Sequence, residues 1–156
     1  MIDELYSARI LKLAANLPHS GRLAMPEGTG ERVAKLCGSK AVVDVTLDGA
    51  GRVETFAQDV KACALGQAAA GVLGEVVIGA TLDEIVAARD AMSAMLKAGG
   101  EGPTGRFEGL RALKQVADYP ARHASTMVAV EATLDAVREA QARKSPDTRT
   151  SLAGAA

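Results

Sequence analysis

Two cysteines, Cys37 and Cys63, are the residues of this chain best suited to chemistry. A thiolate attacks sulfur and binds borderline metals, so a thiol pair supports metal or sulfur chemistry, or a redox disulfide. The bland alternative is two small buried side chains, since free cysteine is among the most buried residue types. Cys37 is followed by Gly38, which lets the backbone turn sharply or approach closely. Cys63 stands where a strand gives way to a helix, and the macrodipole there favours a thiolate. Lys61, two residues earlier, adds positive potential. His19 sits in a Pro/Gly loop and is assigned no role. No Ser/His/Asp motif, phosphate-binding G-x-x-x-x-G-K-[ST] or ordered G-x-G-x-x-G occurs.

Two β-type runs lie between the cysteines. In Ala41–Leu47, Val43, Val45 and Leu47 share one face while Asp44 and Thr46 take the other. Arg52–Val60 alternates less cleanly, and Asp48-Gly49-Ala50-Gly51 supplies the glycines of a tight hairpin turn. Pairing Leu47 with Arg52 and extending that register outward brings residue 37 opposite residue 62. The hairpin therefore predicts that the two cysteines meet at one end of a sheet, and a one-residue slip would not separate them.

The remaining elements follow from periodicity and punctuation. A helix is predicted over residues 2–16, a loop over 17–30, and a short strand over Arg32–Leu36. Residues 64–78, rich in Ala and Gly, predict a helix packed very closely against its neighbours. Thr81-Leu82-Asp83-Glu84 is a capping box opening a helix that stops at Gly99-Gly100. Its Ile85, Met92, Met95 and Leu96 read as core. A connector over Gly99–Gly105, a short helix over Phe107–Val116 and a last helix over residues 121–142 complete the chain. Strands first and helices later predict an α+β fold, a small antiparallel sheet of about three strands packed against several α-helices. Residues 1–142 form one predicted domain, and 143–156 read as a disordered tail.

Composition excludes several functions. A net charge of −1 with no basic cluster, and 3% aromatic residues, leave neither the electrostatic footprint nor the stacking platforms of a nucleic-acid binder. No apolar run approaches the roughly 20 residues that span a bilayer. The acidic opening Met1-Ile2-Asp3-Glu4-Leu5 differs from a secretory signal, and a cytoplasmic location is expected. There, two cysteines serve as thiols or ligands rather than a structural disulfide.

With these elements in place, the chain resembles the SufU/IscU/NifU-N type of iron–sulfur cluster assembly scaffold from about Leu5 to Val137. The resemblance rests on Leu36-Cys37-Gly38-Ser39 after the first strand and on the hairpin. It extends through Ala62-Cys63-Ala64-Leu65-Gly66 leading into a helix of small residues, Tyr119-Pro120-Ala121-Arg122 before the last helix, and Glu4-Leu5-Tyr6. Two family ligand positions differ: the Asp after Cys-Gly is Ser39, and the third Cys is Ser125. The resemblance implies a non-enzymatic scaffold or carrier that assembles and transfers a labile [2Fe–2S] or [4Fe–4S] cluster, with zinc as a lesser alternative. Cys37 and Cys63 are the implied ligands. His123 is a candidate third ligand against a default of a solvated helix-entry side chain, and Ser125 a candidate contact against a default of backbone bonding. A dimer would combine two cysteines per subunit into a Cys₄ set. Arg122 is a candidate to stabilise a thiolate or persulfide, with an ordinary surface role as its default. The implied partners are a cysteine desulfurase, apo iron–sulfur client proteins and a second copy of the chain. Two further functions fit the resemblance: a sulfur relay accepting persulfide from the desulfurase, and a partner-binding module that keeps only the fold.

Overall fold

The computed structural model describes residues 7–144; the predicted helical residues 2–6 and most of the predicted tail lie outside them. Among the described residues, helix α1 (Ala8–Ala15) comes first, capped by Ser7, whose Oγ accepts from the Ile10 N–H at 3.3 Å. Three antiparallel strands follow, β1 (Gly28–Ala34), β2 (Ser39–Leu47) and β3 (Val53–Lys61), in the order β1-β2-β3. Then come α2 (Ala64–Val76), α3 (Leu82–Ala98), a run of 3-10 turns over Gly105–Asp118, a 3-10 turn over Pro120–Arg122, and α4 (His123–Lys144). The fold is the predicted α+β arrangement, with the helices on one face of the sheet.

That face carries Ala41, Val43, Val45 and Leu47 of β2 beside Phe56 and Val60 of β3, all buried. α4 lies along β1 and β2 and also packs on α2 and α3. Its backbone comes so close to β1 that a Cβ on Gly28 would run into the Ala136 carbonyl, and one on Gly30 into the Ala132 carbonyl. These two glycines extend β1 four residues upstream of the predicted Arg32, into a stretch that reads as loop. β1 ends at Ala34 rather than Leu36, because Lys35 to Gly38 make the turn into β2.

The hairpin register also differs from prediction. Lys40 pairs with Lys61 and Val45 with Phe56, shifted by two residues, and the ladder is irregular between Thr46 and Leu47, which pairs with Val53 instead of Arg52. In the turn, the Asp48 carboxylate accepts from the Ala50 and Arg52 N–H groups, and Gly51 adopts φ +81°. The consequence for the cysteines survives: two steps beyond Lys40–Lys61, Gly38 stands across from Cys63.

The capping box forms as predicted. Thr81 Oγ1 accepts from the Glu84 N–H at 3.1 Å, and Glu84 Oε1 accepts from the Thr81 N–H at 3.0 Å. Met92, Met95, Leu96 and Ile85 are core residues. The predicted helix over Phe107–Val116 is the run of 3-10 turns, which seals the core with Phe107, Leu110, Leu113 and Val116. On the sheet's outer face Asp44 is fully buried. Arg22 Nε and Nη2 donate to its carboxylate at 2.6 and 3.1 Å, the Leu23 N–H at 3.0 Å and Thr29 Oγ1 at 2.6 Å.

Candidate functional site

Cys37 occupies the exposed β1–β2 turn, where Gly38 adopts φ +73°, a left-handed conformation that side chains rarely take. Cys63 is half-buried at the N-cap of α2, where the Leu65 and Gly66 N–H groups of the first turn are turned towards its sulfur without a close cap bond. A shallow groove of about 550 Å³ joins them, lined by Cys37, Ser39, Lys61, Ala62, Cys63 and Gln67. A somewhat larger cavity, about 620 Å³, lies apart beside Met95, Arg111 and Asp118 and contains no thiol.

Two serine hydroxyls attend the two sulfurs. Ser39 Oγ, buried at the first position of β2, is 3.1 Å from Cys37 Sγ. Ser125 Oγ, buried in the first turn of α4, is 3.6 Å from Cys63 Sγ. The close approach of α2 to α4 depends on Gly66: a Cβ there would meet the Ser125 carbonyl oxygen at 2.7 Å. The small-residue character of α2 thus sets the sulfur–hydroxyl distance.

Both thiols are held below their ordinary pKa. For Cys37 the main cause is the Ser39 hydroxyl, then the Ser39 N–H; partial burial opposes them, and Ser125 and the Arg122 charge assist. For Cys63, burial pushes the pKa up most strongly but is outweighed by the Gly66 N–H, the Ser125 hydroxyl, the Leu65 N–H and the Arg122 charge together. The site therefore favours thiolates, the form that ligates metal or attacks sulfur.

The structure brings together four of the predicted site residues, Cys37, Cys63, Ser125 and Arg122, and adds Ser39. His123 is not among them. Its ring is buried, with Nε2 donating towards the Val116 and Ala117 carbonyls at 3.0 and 3.2 Å, so it is neither turned to the thiols nor solvated. It ties the start of α4 to the end of the 3-10 run. Thr126, buried beside Ser125, was missed by sequence reasoning; its Oγ1 donates to the Arg122 carbonyl at 2.7 Å. The Ser-Thr pair three and four residues after Arg122 is the signal that could have found it. Among the described residues no group of three or more His, Cys, Asp or Glu side chains could hold a metal ion. Serine hydroxyls are poor ligands for iron or zinc at neutral pH, so one chain offers two good donors.

A three-stranded antiparallel sheet with helices on one face, and two thiols of lowered pKa brought to one end, define a small α+β domain. Comparison with known proteins gives the chain's family. It belongs to the NifU-like N-terminal domain family, whose model matches residues 5–141. It is similar to the N-terminal NifU-like nitrogen-fixation protein of Brucella abortus, at 46% identity over 90% of this chain and 96% of that one, with a TM-score of 0.86. Its fold also matches FiSufU of Fervidobacterium islandicum AW-1, described as a candidate iron–sulfur cluster assembly scaffold for the SUF system. That match has 20% identity, a TM-score of 0.77, and coverage of 85% of this chain and 96% of that one. A hypothetical protein of known structure shares the fold at 23% identity and a TM-score of 0.73, covering 86% and 97% of the two chains. A comparison with proteins of curated function finds no match.

Proposed function

We propose that this protein is a scaffold or carrier for iron–sulfur clusters, with Cys37 and Cys63 as the residues that hold the cargo. The observation that carries the reading is the convergence of two thiols, from a turn and a helix N-terminus, on one groove in which both are held below their ordinary pKa. Membership of the NifU-like family supports it. Two thiolates are half of a Cys₄ set, so a cluster is held between two copies of the chain, as a [2Fe–2S] or [4Fe–4S] centre that is readily released. A shared Cys₄ set is also one that zinc takes in structural sites, and the iron and acid-labile sulfide content separates the two. Leu36, 82% exposed beside Cys37, gives a cysteine desulfurase or client protein an apolar lip to seat against.

Anaerobic reconstitution with iron and sulfide, followed by iron and acid-labile sulfide analysis, visible spectroscopy and mass determination, tests this reading. The expected result is one cluster per two chains, lost in C37S and in C63S. A monomer that binds iron and sulfide would overturn the shared ligand set, and no uptake at all would overturn the scaffold role.

The exposure of Cys37 favours a second reading, a sulfur relay. Its thiolate would attack the sulfane sulfur of a desulfurase persulfide, forming the new S–S bond as the donor's S–S bond breaks and the donor cysteine leaves as thiolate. Transfer of sulfane sulfur to this chain without cluster formation would favour the relay over the scaffold.

A further inference from the structure

The Ser125 hydroxyl has a single proton and more acceptors within reach than it can serve at once, Cys37 being the weakest of them. In the structure Oγ donates to the Arg122 carbonyl at 3.1 Å while standing 3.6 Å from Cys63 Sγ. Turning that proton onto sulfur needs only rotation about the Cβ–Oγ bond, with no movement of heavy atoms. The obstacle would be the abandoned carbonyl, because a buried acceptor without a partner is costly. Here the same carbonyl, just ahead of α4, also accepts the first helical N–H bond, from Thr126, and the Thr126 Oγ1 proton at 2.7 Å. A carbonyl oxygen has two lone pairs, so it stays satisfied by Thr126 when Ser125 leaves.

We propose that Ser125 is a switchable hydrogen-bond donor to the Cys63 sulfur, turning from the Arg122 carbonyl to stabilise the negative charge that sulfur gains when cargo departs. When an acceptor thiolate attacks the sulfane sulfur on Cys63, a new S–S bond forms on the acceptor, the S–S bond to Cys63 breaks with its electron pair staying on Sγ, and a thiolate forms 3.6 Å from Oγ. The hydroxyl proton meets that charge at once, and hydrogen bonds to ionised groups are the strong ones. When Cys63 is a neutral thiol, its own proton points to Oγ, and Ser125 returns its proton to the Arg122 carbonyl. The proposal rests on the reading of Cys63 as a cargo-bearing cysteine.

The test loads Cys63 with sulfane sulfur from inorganic polysulfide in a C37S background, then follows thiocyanate release by cyanide at fixed pH. Cyanide takes the sulfane sulfur and Cys63 leaves as thiolate. S125A is expected to slow release about tenfold, the effect of one hydrogen bond to a charged leaving group. S125T, which keeps a hydroxyl at this position, is expected to recover most of the rate. Thermal melts of each variant check that the fold is kept. An unchanged rate in S125A overturns the proposal, as does a Cys63 that takes up no sulfane sulfur. Failure of the scaffold reading is seen separately: wild-type protein that takes up no iron and sulfide, while S125A still slows cyanolysis, leaves this inference standing without it.

Discussion

The two faces of the sheet are closed by different physics. On the inner face, small residues let backbone meet backbone: Gly28 and Gly30 of β1 admit α4, and Gly66 admits the first turn of α4 to α2. On the outer face a charge does the organising. Asp44 is fully buried, and a guanidinium, a backbone N–H and a hydroxyl from the preceding segment and β1 converge on it. Dispersion and burial hold the inner face, where any added volume is felt. The outer face depends on completing the hydrogen bonds of one carboxylate, because an unpaired buried charge costs several kcal/mol. The thiols sit where the two meet, with Ser39 reaching in from the strand and Ser125 from the helix.

The largest effect is expected from the inner face. Gly30→Ala places a methyl against the Ala132 carbonyl, with the Asp135 Cβ only 2.9 Å away, and both neighbours belong to a helix that cannot yield locally. Overpacking of this kind costs about 3 kcal/mol. A urea midpoint lowered by that amount is the expected outcome, and a midpoint within error of wild type would mean that α4 is free to lift from β1.

A smaller effect, with a pH signature, is expected from the outer face. Asp44→Asn keeps the shape but turns an amide towards groups that all donate. The cost is about 2 kcal/mol, the worth of hydrogen bonds to a charged group; the half-exposed Arg22 can return its charge to water. Burial raises the Asp44 pKa, but the hydrogen bonds from Arg22, Thr29 and Leu23 and the Arg22 charge prevail, so its folded value lies below the unfolded one. The contribution is therefore complete above the unfolded pKa of about 3.9 and is lost as pH falls through the folded value. Urea midpoints measured from about pH 6 down to pH 2 should fall less steeply in the variant than in wild type. Parallel curves would mean that the Asp44 pKa is the same in the folded and unfolded states.

Much of this was legible in the sequence, for physical reasons that also explain the rest. The Thr81–Glu84 box and the Val43/Val45/Leu47 alternation are local signals, complete within one element, and both form as read. The meeting of the cysteines was legible because it depends only on the existence of the hairpin. Its register was not, because the irregularity at Thr46/Leu47 leaves no mark in residue types. Gly28 and Gly30 read as loop because the reason for them is a helix about a hundred residues away. Asp44 was placed on the correct face, but its burial comes from Arg22 and Leu23, which no alternation pattern reports. His123 read by default as a solvated helix-entry side chain and only secondarily as a ligand; the Val116 carbonyl that holds its ring in the interior leaves no mark in residue types.

The smallest prediction isolates burial as the cause of the difference between the faces. Glu31 and Lys40 also lie on the outer face, with Oε2 and Nζ 3.7 Å apart, and their side chains are 55% and 46% exposed. They have the same charges as the Asp44–Arg22 pair and share its sheet, but water solvates both partners. An exposed pair of this kind contributes about 0–1 kcal/mol, and salt screens it. Glu31→Gln is therefore expected to move the urea midpoint by less than about 0.5 kcal/mol, and by nothing measurable in 1 M salt. The Asp44→Asn difference should persist in the same salt, because buried groups are screened much less. If both variants lost their effect together in salt, the outer face would be held by diffuse surface electrostatics, and the contrast drawn from the buried carboxylate would fail.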